Sequence, residues 1–371
     1  MCCDSHALDV NGSFLFNSGT LELTGGSVTG LDQLTVPTNG TLRAVGDYSN
    51  LPVTATGGST IVATGDLMLG DSSDPRGFYS NGDVEANDNA LTLSDANDAV
   101  FDSGASVTLG DAGTGALSAS GGLTLDFGGN ITGFGAVDTP NDPATPMINN
   151  GNITGNSLAE PITLTGYVKG VGTCDNCNIT GTDAPGFSPA TVNRGSVSYN
   201  GTLEIEIGGT SAGDFDQLNH ILGAGIADLG GTLDLDLING FIPSDGDMFE
   251  IVTATDVQNM FAVENFPTLA GLDWNISYGA TNVVLAVVSA GGILGDFDGD
   301  GDVDGADFLE WQRTDGTVTG LTDWQTNYGR VVPPLAASSV VPEPSSTMLL
   351  LSLLASVFAC DWSKMKGPTR L

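Results

Sequence analysis

The sequence predicts an all-β chain, wound as a right-handed β-helix or solenoid with a β-rich C-terminal cap, followed by a small α-helical module and a C-terminal hydrophobic helix. Three observations lead there. Short runs of alternating apolar and small polar residues fill the chain from Gly12 to about Val288, the period-two pattern of half-buried strands. Successive runs begin roughly 18 to 23 residues apart, the size of one solenoid coil of three short strands. Glycine is abundant, at 53 of 371 residues, without the strict triplet period of collagen.

The runs are explicit. Ser18-Gly19-Thr20-Leu21-Glu22-Leu23, Asn39-Gly40-Thr41-Leu42 and Gly58-Ser59-Thr60-Ile61-Val62 open the series. Gly104-Ala105-Ser106-Val107-Thr108-Leu109 and Gly122-Leu123-Thr124-Leu125-Asp126-Phe127 continue it. Each coil is too small to bury its own Leu, Val and Ile, so stacking must supply the core. Gly and Asn belong at the corners, where the backbone needs positive φ. A β-sandwich would use strands of similar length with less repetition. These considerations assign residues 1–180 to solenoid repeats.

Residues 181–290 form a second β region. It opens at the turn-rich Pro185-Gly186-Phe187-Ser188-Pro189 and contains two clean strands, Gly201-Thr202-Leu203-Glu204-Ile205-Glu206-Ile207 and Gly231-Thr232-Leu233-Asp234-Leu235-Asp236-Leu237. A turn then feeds Gly246-Asp247-Met248-Phe249-Glu250-Ile251-Val252. On these motifs the block resembles the C-terminal end of autotransporter-associated passenger β-helices and related bacterial surface proteins. The resemblance implies a surface role. It does not imply self-export, because no translocating barrel follows.

Charge restricts the partners. Forty-five acids against 9 bases leave a formal net charge of −36. Nucleic-acid binding needs clustered Lys and Arg and is excluded. An acidic, soluble chain suits the cell exterior or divalent cations. Arg43, Arg76, Lys169 and Arg194 are the only bases in the solenoid that could serve lyase chemistry; each stands alone and reads as a surface charge. No nucleophile elbow, phosphate loop or Cys-His pair occurs, so no catalytic residue or organic cofactor is assigned. A two-carboxylate hydrolase is compatible with the composition, but no acid stands out from the Asn, Asp and Gly of the turns. His220 reads as a strand-end residue, and Trp274 offers the body's one tryptophan for stacking.

Cysteines are few. Cys174 and Cys177 form a lone CxxC between turn-like and strand-like segments, without the strand-helix setting of a redox motif. The reading is a small structural disulfide of an oxidising compartment.

The strongest chemistry lies in residues 291–330. Asp296, Asp298, Asp300, Asp304 and Asp307 occupy positions 1, 3, 5, 9 and 12 of an EF-hand loop, with Gly301 at the sharp turn. Asp302 contributes through its carbonyl, and Val303 anchors the loop to a core. Such a set predicts one Ca2+ ion. Position 12 is Asp where EF-hands carry the longer Glu. Phe308, Trp311 and Gln312 then define a short helix.

Trp311-Gln312 with Gly316, and Trp324-Gln325 with Gly329, repeat one spacing. On that duplication the segment resembles a type I dockerin. Thr317, Thr319 and Thr322 stand where the second loop's ligands would be expected, so one ion is expected rather than two. A dockerin implies a cohesin-like partner and carbohydrate machinery, and half a module weakens that implication.

Residues 331–345 are a Pro/Ala/Ser linker ending in Pro342-Glu343-Pro344. Residues 346–371 run from Thr347 to Cys360 as an apolar stretch and close on Lys364, Lys366 and Arg370. Short polar motif, apolar run and basic tip together resemble the PEP-CTERM sorting signal of Gram-negative, exopolysaccharide-producing bacteria. That resemblance implies a membrane anchor cut by an exosortase-type enzyme, with the basic tip cytoplasmic. A permanent tail anchor would share every feature except Pro342-Glu343-Pro344. Export requires a signal peptide, yet Met1–Leu8 has no basic region and no apolar core. The sequence is therefore expected to begin inside a longer chain.

The sequence thus predicts a calcium-stabilised structural or adhesive β-helix, exported to the cell surface or extracellular matrix. The alternative is a polysaccharide-binding or polysaccharide-degrading β-helix enzyme.

Overall fold

A computed structural model describes residues 18–25, 33–71, 77–289, 295–298, 302–314 and 316–330, with short strands at Cys2–Cys3, Leu8–Asp9, Phe14–Leu15 and Val28–Thr29. Arg76, Asp300, the Pro342-Glu343-Pro344 motif and the apolar stretch behind it lie outside the described residues. The chain divides into two compact units, Met1–Gly291 and Gly292–Leu371.

The first unit is a β-solenoid with three parallel ladders. In one, Leu21, Leu42, Ile61, Val84, Val107, Ile131, Ile153 and Cys174 stand in register, one per coil. None is more than 4% exposed. Their outward neighbours Thr20, Thr41, Thr60, Asp83, Ser106, Asn130, Asn152 and Thr173 form a polar row. This is why the alternation was readable: a one-residue slip would exchange the two rows. Each inward aliphatic contributes about 1.5–3 kcal/mol through burial.

The second ladder stacks Leu67, Leu91, Leu117, Val137, Leu164, Ile179, Tyr199 and Leu229. Strand Thr60–Asp71 serves both ladders by bending where its register shifts between Ala63 and Leu67. The third ladder is a 12-stranded sheet from Phe14–Leu15 to Val263–Asn265. Parallel pairing throughout these ladders separates the fold from a β-sandwich, which pairs its strands antiparallel.

The ladders do not stop at residue 181. Strand Thr182–Pro185 pairs in parallel with Tyr167–Gly170 on one side and with Thr202–Ile207 on the other. Winding therefore continues through the Pro-Gly-Phe-Ser-Pro turn, and Thr202–Ile207 lies in full register on Thr232–Leu237. One corner is packed on glycines. A Cβ on Gly201 would lie 1.9 Å from the Gly181 carbonyl oxygen, and one on Gly231 would lie 1.9 Å from that of Gly201.

An antiparallel turn-back closes this end. Asn282–Ser289 pairs antiparallel with Met248–Ala254 and with Leu272–Tyr278. Phe249, fully buried, fills the plug, with ring centroids 5.3 Å from Phe215, 6.2 Å from Phe241 and 6.0 Å from Trp274. Trp274 is thus committed to packing, and its Nε1 donates to the Pro267 carbonyl at 3.0 Å.

One expectation about a single residue is overturned, and one is borne out with an addition. Arg194 is not a surface charge: it is 2% exposed and pairs with Asp183 at 3.0 Å. Strand Thr191–Arg194 alternates outward and inward, and Arg194 takes an inward place. His220 ends its strand but faces the core; its Nδ1 lies 2.6 Å from the Gly195 carbonyl and its Nε2 3.2 Å from the Tyr199 hydroxyl. Burial there holds the His220 pKa down to about 4.

Candidate metal centre

The second unit is built around a loop and two helices, α1 (Gly305–Thr314) and α2 (Val318–Asn327). Asp304 caps α1: its carboxylate accepts from the Ala306 N–H at 2.6 Å, and Asp307 reaches back to accept from the Asp304 N–H at 2.7 Å. Asp at the cap and an acid three residues on make a capping box, which satisfies two N-terminal donors reciprocally. That role was legible in the Asp304-x-x-Asp307 spacing, although the metal pattern drew the attention.

Asp307 is the hub of the loop. It is fully buried, and its Oδ1 also accepts from the Phe297 N–H at 2.7 Å and the Asp298 N–H at 3.1 Å. Burial pushes its pKa up, but the backbone N–H groups of Asp304, Asp298 and Phe297, with Asp296 beside them, outweigh it and hold the carboxyl below the ordinary 3.8. The group is an anion in the fold.

Two carboxylate triads share this hub. One oxygen each from Asp296, Asp298 and Asp307 lie within 4.8 Å of one another, as do oxygens from Asp302, Asp304 and Asp307. A calcium ion takes oxygens at 2.3–2.6 Å, so ligands on opposite sides of it stand about 5 Å apart, and these spacings fit. The donors among the described residues are all oxygen, which selects a hard cation over zinc or copper. A carboxylate offers about four lone-pair sites, and Asp307 already spends three on backbone N–H groups. It is therefore suited to one metal bond rather than a bidentate clamp.

Elements from beyond the loop hold it. Val303, fully buried, donates its N–H to the Arg330 carbonyl at 2.9 Å and accepts from the Gly329 N–H at 2.8 Å. The Trp324 Nε1 donates to the Asp304 carbonyl at 2.7 Å, and the Trp324 ring lies 4.9 Å from that of Phe308. Sequence reasoning named Val303 but missed this part for Trp324, which sits one helix away. The presumed second loop has a different shape. Thr317 is the N-cap of α2, accepting from the Gly320 N–H at 3.0 Å, while Thr319 and Thr322 lie within that helix.

Elsewhere, Cys174 and Cys177 are joined by a disulfide inside the solenoid, with both residues buried. Among the described residues no helix is long and apolar enough to cross a membrane.

Fold and site together define a β-solenoid followed by a helical unit with an acidic, oxygen-only loop. Comparison with protein-family models, with curated proteins and with solved structures finds no match to this chain.

Proposed function

We propose that this is an exported structural or adhesive β-solenoid of the cell surface or extracellular matrix, with one calcium ion at Asp296–Asp307. The observation that carries the reading is the unbroken parallel winding from Phe14 to Asn265, closed by an antiparallel cap. Such a stack is a stiff spacer whose length is its product. The acidic charge favours solubility outside the cell. Asp296, Asp298, Asp302, Asp304 and Asp307 would offer carboxylate oxygens, with the Asp302 carbonyl and Asp300 as further donors from sequence. The ion would supply charge neutralisation and loop order, not chemistry.

Sorting would proceed through Pro342-Glu343-Pro344 and the apolar stretch, with an exosortase-type enzyme as partner and the membrane as a temporary anchor. A cohesin-like protein or an extracellular polysaccharide is the expected ligand class.

Expression of the chain behind an export leader, in hosts with and without an exosortase, tests this. Chain shortened at its C-terminus is expected in the medium or matrix of the first host, and full-length chain in the membranes of the second. Pro342→Ala with Pro344→Ala should convert the first pattern to the second. Retention in the cytosol, or identical fractions for the variant, overturns the sorting reading.

A further inference from the structure

The outward side of the third ladder carries a recess lined by Tyr167, Lys169, Phe187, Glu204, Glu206 and Asp216. Its wall is the Pro-Gly-Phe-Ser-Pro turn, and that turn is pinned. Gly186, at φ 78°, exchanges backbone hydrogen bonds with Gly170 at 3.0 and 3.2 Å. Asp216 then ties the end of the turn to the strand beside it, accepting from the Ala190 N–H at 2.7 Å and the Glu206 N–H at 2.8 Å. The product of this bracing is Phe187, an apolar ring 59% exposed. A lone exposed apolar residue is ordinary. A ring held in water by a braced turn, at the lip of a polar recess, points to a ligand with one apolar face and one hydroxyl-bearing edge.

The polar side of the recess is equally ordered. The Tyr167 hydroxyl donates to Glu204 Oε2 at 2.5 Å, which fixes that carboxylate while its second oxygen remains to accept from a ligand. Lys169 Nζ stands 5.9 Å from the centroid of the Tyr167 ring and is the one cation of the lining. Acids dominate: Glu204 is in register with Asp234 and Glu206 with Asp236 on the adjacent strand. That field repels uronates, sialic acids and phosphates. The recess is shallow: below its open mouth it admits about one water-sized group. A space this small cannot enclose a ring, so the fit is to a single sugar ring lying across the mouth against Phe187, with one hydroxyl entering the floor.

We propose that this recess binds one uncharged hexose residue of a glycan, its apolar face on Phe187 and a hydroxyl at the Glu204 carboxylate. The inference rests on the adhesive part of the proposed function and names the ligand class for it. Specificity comes from the carboxylate edge, and the fixed ring keeps the ordering cost of binding low.

Calorimetric titration of the whole chain with cellobiose, lactose, mannobiose and the anionic digalacturonate tests the proposal. At least one neutral disaccharide is expected to saturate with Kd of about 1 mM, and digalacturonate should not bind. Phe187→Ala and Glu204→Gln should each weaken binding about tenfold or more, while Phe187→Tyr retains it. Circular dichroism of the exposed-site variant Phe187→Ala should match the parent, so its loss of binding is not a loss of fold. Absence of saturation by every neutral sugar overturns the site, as does undiminished binding by Phe187→Ala or preference for digalacturonate. Fractionation reads the surface role separately: normal export without sugar binding sinks this site alone, and sugar binding by a chain that stays in the cytosol sinks the surface role alone.

Discussion

Arg194 and Asp183 meet at 3.0 Å inside the solenoid, 2% and 0% exposed, and Arg194 Nη1 also donates to the Gly172 carbonyl at 2.5 Å. The pair joins strands Thr182–Pro185 and Thr191–Arg194 inside the core. Removing one partner leaves the other charge buried without compensation, which typically costs 3–5 kcal/mol. Asp183→Ala is therefore expected to lower the urea midpoint sharply, whereas the double variant Asp183→Leu/Arg194→Met should recover most of the loss. Chemical denaturation of the three chains checks this; a single variant as stable as the parent refutes it.

Acid should loosen the same region through His220. Burial holds its pKa at about 4, below the ordinary 6.5, so the unfolded chain binds a proton that the folded chain refuses. The stability this represents is present above pH 6.5 and is lost as pH falls from there toward 4, on the order of 3 kcal/mol in all. Melting temperatures at pH 7.5 and 4.5 should differ accordingly, and His220→Gln should narrow the gap.

Asp216 works with the opposite sign. Burial pushes its carboxyl up to about 7 against the pull of two backbone N–H donors. The folded chain therefore holds a proton that the unfolded chain releases, and this contribution, present at low pH, is lost as pH rises from about 4 through 7. In His220→Gln, with the histidine silenced, stability should decline across that window. A rise there would contradict the assignment.

The paired rows Glu204–Asp234 and Glu206–Asp236 place like charges directly opposite on neighbouring strands, an arrangement that destabilises a sheet. Asp234→Asn should raise stability by about 0.5 kcal/mol. Added sodium chloride should raise the parent's melting point and do so less in the variant.

In the second unit, two substitutions separate metal binding from helix capping. Asp298→Asn is expected to remove calcium binding measured by calorimetry while leaving the helical signal in circular dichroism unchanged in the metal-free chain. Asp307→Ala should remove both, because it also breaks the capping box, at a cost of about 1 kcal/mol. Equal effects of the two variants on metal-free helix content would count against the hub role of Asp307.

Much of this architecture was legible because solenoid coils write their geometry locally. Val107, Ile131 and Ile153 each sit between small polar neighbours, and that alternation alone places them inward. The Asp296–Asp307 spacing likewise pointed to the acidic loop whose carboxylates gather in two groups of three within 4.8 Å. Arg194 misled for a physical reason: its polarity argued for the surface, while the strand pairing that turns it inward depends on partners many residues away. The recess beside Tyr167 left no pattern at all. Its walls come from separate coils and a turn, so nothing in a short window joins Phe187 to Glu204.

The in-register ladder has a consequence for how this chain can change over generations. Each rung pairs only with the rungs before and after it, so every closure spans about one coil whatever the total number. Duplication or deletion of a whole coil between Thr60 and Thr173 would leave each surviving junction with an equivalent neighbour. Reach can thus be altered in steps of about 4.8 Å, while the antiparallel plug around Phe249 stays unchanged at its end.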